Sequence, residues 1–262
     1  MRIGRLIFLI ITIIGISAAM ALSIVYDSFI LSLFIIFLLI MSNYFLRNID
    51  RRKTQNIILE YTTSCSPNLY MDNLRKYRRG CILSKKQKKI YDLYDCIGYL
   101  DLGEFDNALE ILLEIDKSEV KFDDVTNVLL MKNWCEYFYY NNLDVKLKAS
   151  LLRLKSFITD SKDISVKKGS SLIYHTLEAK YYILSGDNLD KARKLYTDAV
   201  NLTPTKLNIA RAMYNLAIID IKEKKYNEAV DKLKRVSEMC DELYVVRRAK
   251  ELLLDYNNKM NN

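Results

Sequence analysis

Glycine, proline and histidine are the scarce residues of this chain, at 7, 2 and 1 in 262. Phosphate-cradling loops and tightly turned sheets draw on glycine for positive φ and for close backbone approach. So few glycines favour helices joined by short connections. The single histidine, His175, has no Cys, Asp or Glu ligand set beside it and reads as a helix-face residue rather than a catalyst. No H-E-x-x-H, phosphate-loop, G-x-S-x-G or EF-hand pattern occurs. On this reading the chain has no catalytic, cofactor-binding or metal-ligating residues and is not an enzyme. The 5 cysteines (65, 81, 96, 135 and 240) are odd in number and form no C-x-x-C pair. That argues against a disulfide framework and for a reducing compartment. Cys96 and Cys135 are expected as small core residues of helices.

Charge is nearly absent from the first 46 residues. Between Leu6 and Leu46 the only charged residue is Asp27. Leu6–Val25 and Phe29–Leu46 are apolar runs that would each measure about 27–30 Å as a helix, close to the thickness of a bilayer core. Residues 1–46 are therefore expected to form a transmembrane helical hairpin. Arg2 and Arg5 precede it, Arg47, Arg51, Arg52 and Lys53 follow it, and the connector Tyr26-Asp27-Ser28 has no cation. Positive residues stay on the cytoplasmic side, which places both termini in the cytoplasm of a cell (inner) membrane. Tyr26 and Tyr44 stand where interfacial aromatics are found. A cleaved leader ending near Ile16-Ser17-Ala18-Ala19 is the alternative for the first run. Gly15, Ala19 and Ser23 share one helix face and suit close packing of the two spans. The abundance of Lys, Ile, Asn and Tyr points to an AT-rich coding genome, as in a low-GC bacterium.

The positive charge of the remainder is concentrated beside the hairpin. Residues 47–89 hold 12 Lys and Arg against Asp50, Glu60 and Asp72, whereas residues 90–262 hold 26 against 28 Asp and Glu. A nucleic-acid binder needs cations on its reading surface, so no nucleic-acid partner is expected. Residues 47–89 are read as a basic juxtamembrane helical segment, broken between Ser64 and Asn68 around Pro67. Arg75, Lys76, Arg78, Arg79, Lys85, Lys86, Lys88 and Lys89 make up a patch suited to anionic lipid head groups, where each cation contributes about 1 kcal/mol. A solvated helix face with a linker is the alternative.

From residue 90 to 256 one pattern recurs: a helix, a tight turn, a small residue early in a second helix, and a larger apolar residue four positions on. Tyr99, Gly103, Phe105 and Ala108 carry it first, and Trp134, Cys135, Phe138 and Ala149 carry a degenerate copy. Ala179, Tyr182, Ala192, Tyr196, Ala199 and Pro204 carry the fullest copy, with one extra turn residue around Asn188. Met213, Leu216, Ala217, Tyr226, Ala229, Leu233 and Val236 carry the last. Asp160–Gly169 reads as a polar loop, Tyr244–Tyr256 as a capping helix, and 257–262 as a polar tail. The recurrence resembles the tetratricopeptide repeat (TPR) family, in a membrane-anchored bacterial form. The fold class expected is all-α: the hairpin followed by an α-solenoid of TPR-like helix-turn-helix repeats.

The resemblance implies a superhelix whose inner surface, lined by the first helices, holds a protein or peptide partner. Placed by helix phase, the groove candidates are Leu93, Ile97, Lys132, Glu136, Thr176, Lys180, Arg211, Tyr214, Asn215 and Ile218. The expected function is a membrane-anchored scaffold or adaptor with no small-molecule substrate. A peptide-responsive regulatory sensor and a non-catalytic subunit of a secretion or envelope-assembly complex are the alternatives.

Overall fold

The computed structural model describes residues 13–18, 20, 21, 24, 29–81 and 83–260, and these are helical with no strand among them. The elements are α1 (Phe29–Ser64), α2 (Pro67–Arg79), α3 (Lys85–Leu102), α4 (Phe105–Asp116), α5 (Asp124–Tyr140) and α6 (Asp144–Asp160). They continue with α7 (Ile164–Ser185), α8 (Leu189–Leu202), α9 (Lys206–Lys222), α10 (Tyr226–Ser237) and α11 (Tyr244–Met260). The chain divides into two compact units, residues 1–59 with 74–82, and residues 60–73 with 83–262.

In the first unit, α1 carries Ile30, Leu33, Phe34, Ile36, Phe37, Ile40 and Met41 with large exposed apolar side chains. Arg2, Arg5, most of the run Leu6–Val25, the connector Tyr26-Asp27-Ser28 and Asn262 lie outside the described residues. Several side chains of Phe29–Leu46 lie outside them as well. Among the described residues no helix is long and apolar enough to cross a membrane, so the expected two-span hairpin is not found there. The helix does run on without interruption to Ser64. Cys65, at φ 60, ends it, and Pro67 opens α2, because a proline needs no amide partner in the first turn.

The second unit is a succession of helical hairpins, α3/α4, α5/α6, α7/α8 and α9/α10, followed by α11. Every hairpin turn contains a left-handed residue: Gly103 at φ 71, Asn142 at φ 55, Gly186 and Asn188 at φ 79 and 53, and Lys224 at φ 61. Such a residue ends one helix and redirects the chain in two or three positions. The starts of three first helices are fixed by side chains, whereas those of α4, α6, α8 and α10 have no side-chain cap. Ser84 and Gln87 form a reciprocal capping box on α3, Asp123 caps α5 through the amide of Thr126, and Thr205 caps α9 through that of Asn208.

Small residues set the distance between partners. Ala108, Ala179, Ala192, Ala217 and Ala229 are almost fully buried, with Leu93 and Leu112 clustered around the first and Leu177 and Ile219 around the next two. Each leucine or isoleucine side chain removed from water contributes about 1.5–3 kcal/mol. Two expectations change. Ala149 is exposed, and Leu147, two residues earlier, fills the inside of the second hairpin. Asp160–Gly169 is no loop: only Ser161-Lys162-Asp163 separates α6 from α7. Buried Val166 anchors the first turn of α7, so helix is favoured there despite Gly169. At the other end, α11 runs on through Met260.

The first helices of successive hairpins touch in order, α3 to α5 to α7 to α9, and α9 then touches α11. Helix α11 also packs on α3, which closes the series into a ring. Tyr244 seals the closure. Its ring lies edge-on to Phe105 and Tyr140, at 5.1 and 5.3 Å between centroids, and a Cβ on Gly103 would stand 2.5 Å from it. Arg247 donates to the Leu102 carbonyl, and Glu242 accepts from Ser66 Oγ at 2.8 Å and the Asn68 amide at 3.2 Å. The carboxylate thus meets the positive end of α2.

Candidate functional site

The inner face of the ring holds the most concentrated buried charge in the second unit. Lys132 and Glu136 stand one helical turn apart on α5, within ion-pair reach at 4.0 Å. Lys180, from α7, donates to Glu136 and lies 4.9 Å from the ring centres of both Tyr139 and Tyr140. Across the ring, Arg211 of α9 pairs with Asp101 at the end of α3, and Tyr61 from the end of α1 donates its hydroxyl to the same carboxylate. Tyr139 donates to Asn215 at 2.6 Å, and the Asn215 amide donates to the Arg211 carbonyl at 2.8 Å. Four helices and the end of a fifth are thereby tied together by side chains.

Burial makes each of these charges dependent on its partner. The side chains of Lys180 and Asp101 are 5 % and 6 % exposed, against 23 % for Arg211 and 21 % for Lys132. Desolvation pushes the Glu136 carboxyl up, but Lys180, Lys132 and Arg211 outweigh it and hold the group at about 2. Lys180 moves down, because desolvation together with Arg211 and Lys132 exceeds the pull of Glu136. Arg211 is raised despite its burial, by Asp101 above all. Glu136 is thus held ionised by the surrounding cations, whereas Lys180 moves down chiefly because burial disfavours its charge.

Beside this network lies a cavity of about 220 Å³. Six of the ten groove candidates line it: Lys132, Glu136, Thr176, Lys180, Arg211 and Asn215. Ile97 lines a smaller recess shared with Asp101 and Arg211. The other three are elsewhere. Leu93 is in the core of the first hairpin, Ile218 packs against the core of the second and third, and Tyr214 is buried toward Arg248 and Tyr244. The rest of its lining mixes Leu172, Ile173, Ala199, Val200 and Ala212 with Tyr196, Thr203 and Asn208. Helix phase identified the first-helix residues. It missed Asp101, whose only signal in the sequence is a carboxylate between Leu100 and Leu102, and Tyr61, which stands among Glu60, Thr62 and Thr63 with no signal at all.

Of the basic patch, Arg75, Lys76, Arg78 and Arg79 belong to the first unit and Lys85, Lys86, Lys88 and Lys89 to the second. Lys85, Lys86 and Lys88 are exposed, whereas Lys89 is engaged by Glu114 at 2.9 Å and Asp92 at 3.7 Å. His175 is half exposed, 3.9 Å from Glu178. All five thiols are free. Cys96 and Cys135 are fully buried, and burial raises both to about 12, so they are inert packing groups. Among the described residues no group of three or more His, Cys, Asp or Glu is placed to hold a metal ion. No protein-family model, curated protein or solved structure matches this chain.

Proposed function

We propose that this protein is a membrane-anchored, TPR-like scaffold that captures a protein or peptide partner on the inner face of its helical ring, at the cytoplasmic side of the membrane. The observation that supports it is the convergence of Lys132, Glu136, Thr176, Lys180, Arg211 and Asn215 on one cavity. The anchor in this reading is the apolar N-terminal hairpin, with α1 carrying its exposed Ile, Leu and Phe side chains into the lipid. The exposed Lys85, Lys86 and Lys88 face anionic head groups. Anchoring confines the binding face to the membrane plane and raises its effective concentration for membrane partners.

Photo-crosslinking in cells tests this reading. A crosslinker at Thr176, inside the ring, is expected to trap a partner, and one at exposed Leu152 on α6 is not. Adducts formed only from Leu152 would refute the inner-face assignment. Reporter fusions at Asp27 and Asn262 test the topology, and an extracytoplasmic Asn262 would overturn it. A second reading, the peptide-responsive sensor, is favoured by one contact: Asp101 joins the cavity's Arg211 to Tyr61 at the end of the anchoring helix.

A further inference from the structure

The exposed face of α6 differs from those of the other second helices. From Val145 to Thr159 it holds Lys146, Lys148, Arg153 and Lys155 and no acidic residue, whereas α4, α8 and α10 carry Glu110, Asp198 and Asp231 within their length. A helix turns about 100° per residue. Val145 and Leu152 therefore share the crest, two turns apart, with Lys148 and Lys155 along one flank and Lys146 and Arg153 along the other. The two apolar side chains are 75 % and 61 % exposed. Among the described residues none of the four cations meets a carboxylate, and Lys148 lies 5.9 Å from the Tyr181 ring. By contrast, Arg193 of α8 and Lys232 of α10 are both engaged by Asp220. Beside the flank of Lys146 and Arg153 lies a groove of about 540 Å³, lined also by Leu113 of α4 and by Trp134, Tyr137 and Phe138 of α5. Its one carboxylate is Asp116, at the end of α4.

Two classes of partner match an apolar crest between cations: an acidic helix of another protein and an anionic bilayer. Lysine is depleted from protein–protein interfaces, and four cations around two apolar side chains leave such a helix little to bury. A helix face that rests on lipid has the opposite make-up, with Leu between Lys and Arg. There the long stems lie along apolar surface and the charged heads reach the phosphates. Trp and Tyr, apolar with a polar tip, suit the head-group level beside it.

We propose that the α6 face and its aromatic groove dock on an anionic phospholipid leaflet, with Val145 and Leu152 against the acyl chains and the four cations on the phosphates. The proposal rests on the reading of the chain as membrane-anchored. Docking fixes how the ring is turned relative to the leaflet, which a tether at one end leaves free. It uses the outside of the second hairpin, so lipid and the partner held inside the ring do not compete.

Trp134 lines the groove and is the one tryptophan of the chain, so its fluorescence reports the contact without a label. The full chain is placed in nanodiscs whose acyl chains carry bromine, a contact quencher, made of phosphatidylcholine alone or mixed with phosphatidylglycerol. Quenching is expected in the mixed discs and not in phosphatidylcholine alone, and it should fall as salt rises. Each cation near an anionic leaflet contributes roughly fivefold, so Lys146→Gln with Arg153→Gln should lower the docked-to-free ratio about 25-fold. Lys194→Gln with Lys234→Gln removes the same charge from exposed positions on α8 and α10 and should leave quenching unchanged. Trp134 unquenched in the mixed discs, equal quenching in phosphatidylcholine alone, or an equal loss in both double variants overturns the proposal. So does a Trp134 signal that moves only on adding a polyglutamate peptide, which would assign the face to an acidic protein. Vesicle flotation keeps the two readings apart. A chain that floats with phosphatidylcholine vesicles while Trp134 stays unquenched in the mixed discs is anchored and undocked. For a chain that does not float, the anchor fails, and brominated phosphatidylglycerol vesicles added to it test docking alone: quenching upholds it and its absence overturns it.

Discussion

The Lys180–Glu136 pair offers a quantitative check on the ring interior. Replacing Lys180 with Met keeps the length and apolar stem of the side chain and deletes its charge. Glu136 is then left mostly buried, with Lys132 at 4.0 Å and the field of Arg211 to compensate. Breaking a buried pair costs about 3–5 kcal/mol, and the remaining lysine places this case at the lower end, about 3 kcal/mol. Contacts of the ammonium with the Tyr139 and Tyr140 rings are partly replaced by the methionine sulfur. Glu136→Leu leaves Lys180 buried against Arg211 and Lys132 and costs a similar amount. The double variant removes both charges and fills the space with apolar groups. Such replacements are neutral or stabilising, so it should lie within about 1 kcal/mol of wild type, a coupling of roughly 5 kcal/mol between neighbours.

Urea unfolding followed through Trp134, the one tryptophan of the chain and stacked on Phe138 in the same helix, reports all three variants. The acid limb gives an independent value. With Glu136 held at about 2 in the fold and an ordinary glutamate near ~4.3, its ionisation stabilises the fold by about 3 kcal/mol. A lowered carboxylate gives stability that is complete above the unfolded value and lost as pH falls toward the folded one. The wild type should therefore lose stability between about pH 4.5 and 2, and Glu136→Gln should lose correspondingly less there. A Lys180→Met cost below about 1 kcal/mol, or a double variant as unstable as the two singles summed, would refute the reasoning.

Three further outcomes are expected. Gly103→Ala places a side chain at φ 71 and a Cβ 2.5 Å from Tyr244. It should cost at least 1–2 kcal/mol and raise hydrogen exchange in α11, where the ring closes. Lys224→Gly relieves a left-handed non-glycine in an exposed turn and should raise the melting free energy by up to about 1 kcal/mol. Asp220, 1 % exposed, accepts from Arg193 at 2.7 Å and Lys232 at 2.6 Å and so joins α8, α9 and α10. Asp220→Ala strips both cations of that partner and should cost about 2–4 kcal/mol in chemical unfolding. The upper end of the roughly 3–5 kcal/mol seen when a fully buried pair is broken is not reached, because both cations keep solvent access.

Local signals in the chain located the hairpins closely. Gly103 and Gly186 mark turns in the sequence, and small alanines mark helix contacts, because these features depend on neighbours within a few positions; Asn142 and Lys224 carried no such signal. Errors arose where local signals competed. Gly169 among polar residues resembled a loop, yet the burial of Val166 in the first turn of α7 kept the segment helical. Ala149 resembled the small contact residue, although Leu147 occupies the inner phase. Of the site, Lys132, Glu136, Thr176, Lys180, Arg211 and Asn215 follow from helix phase once the family resemblance assigns the first helices to the inner face. Their mutual pairing does not, since α5, α7 and α9 are 40 or more residues apart along the chain.

What the sequence alone determined is helix, turn and phase: the periodicity of apolar residues selects the inner stripe, and scarce glycine and proline leave little else to form. What only the tertiary structure decided is closure. Whether α11 merely covers the last hairpin or also meets the first depends on the small rotation at each hairpin contact, accumulated over the series. No single residue encodes that sum. Closure brings Tyr244 against Gly103 and Phe105, draws Glu242 to the start of α2, and sets Arg211 opposite Asp101 and Tyr61. The charged cavity follows from that geometry: side chains scattered along the chain become one site only when the ring is complete.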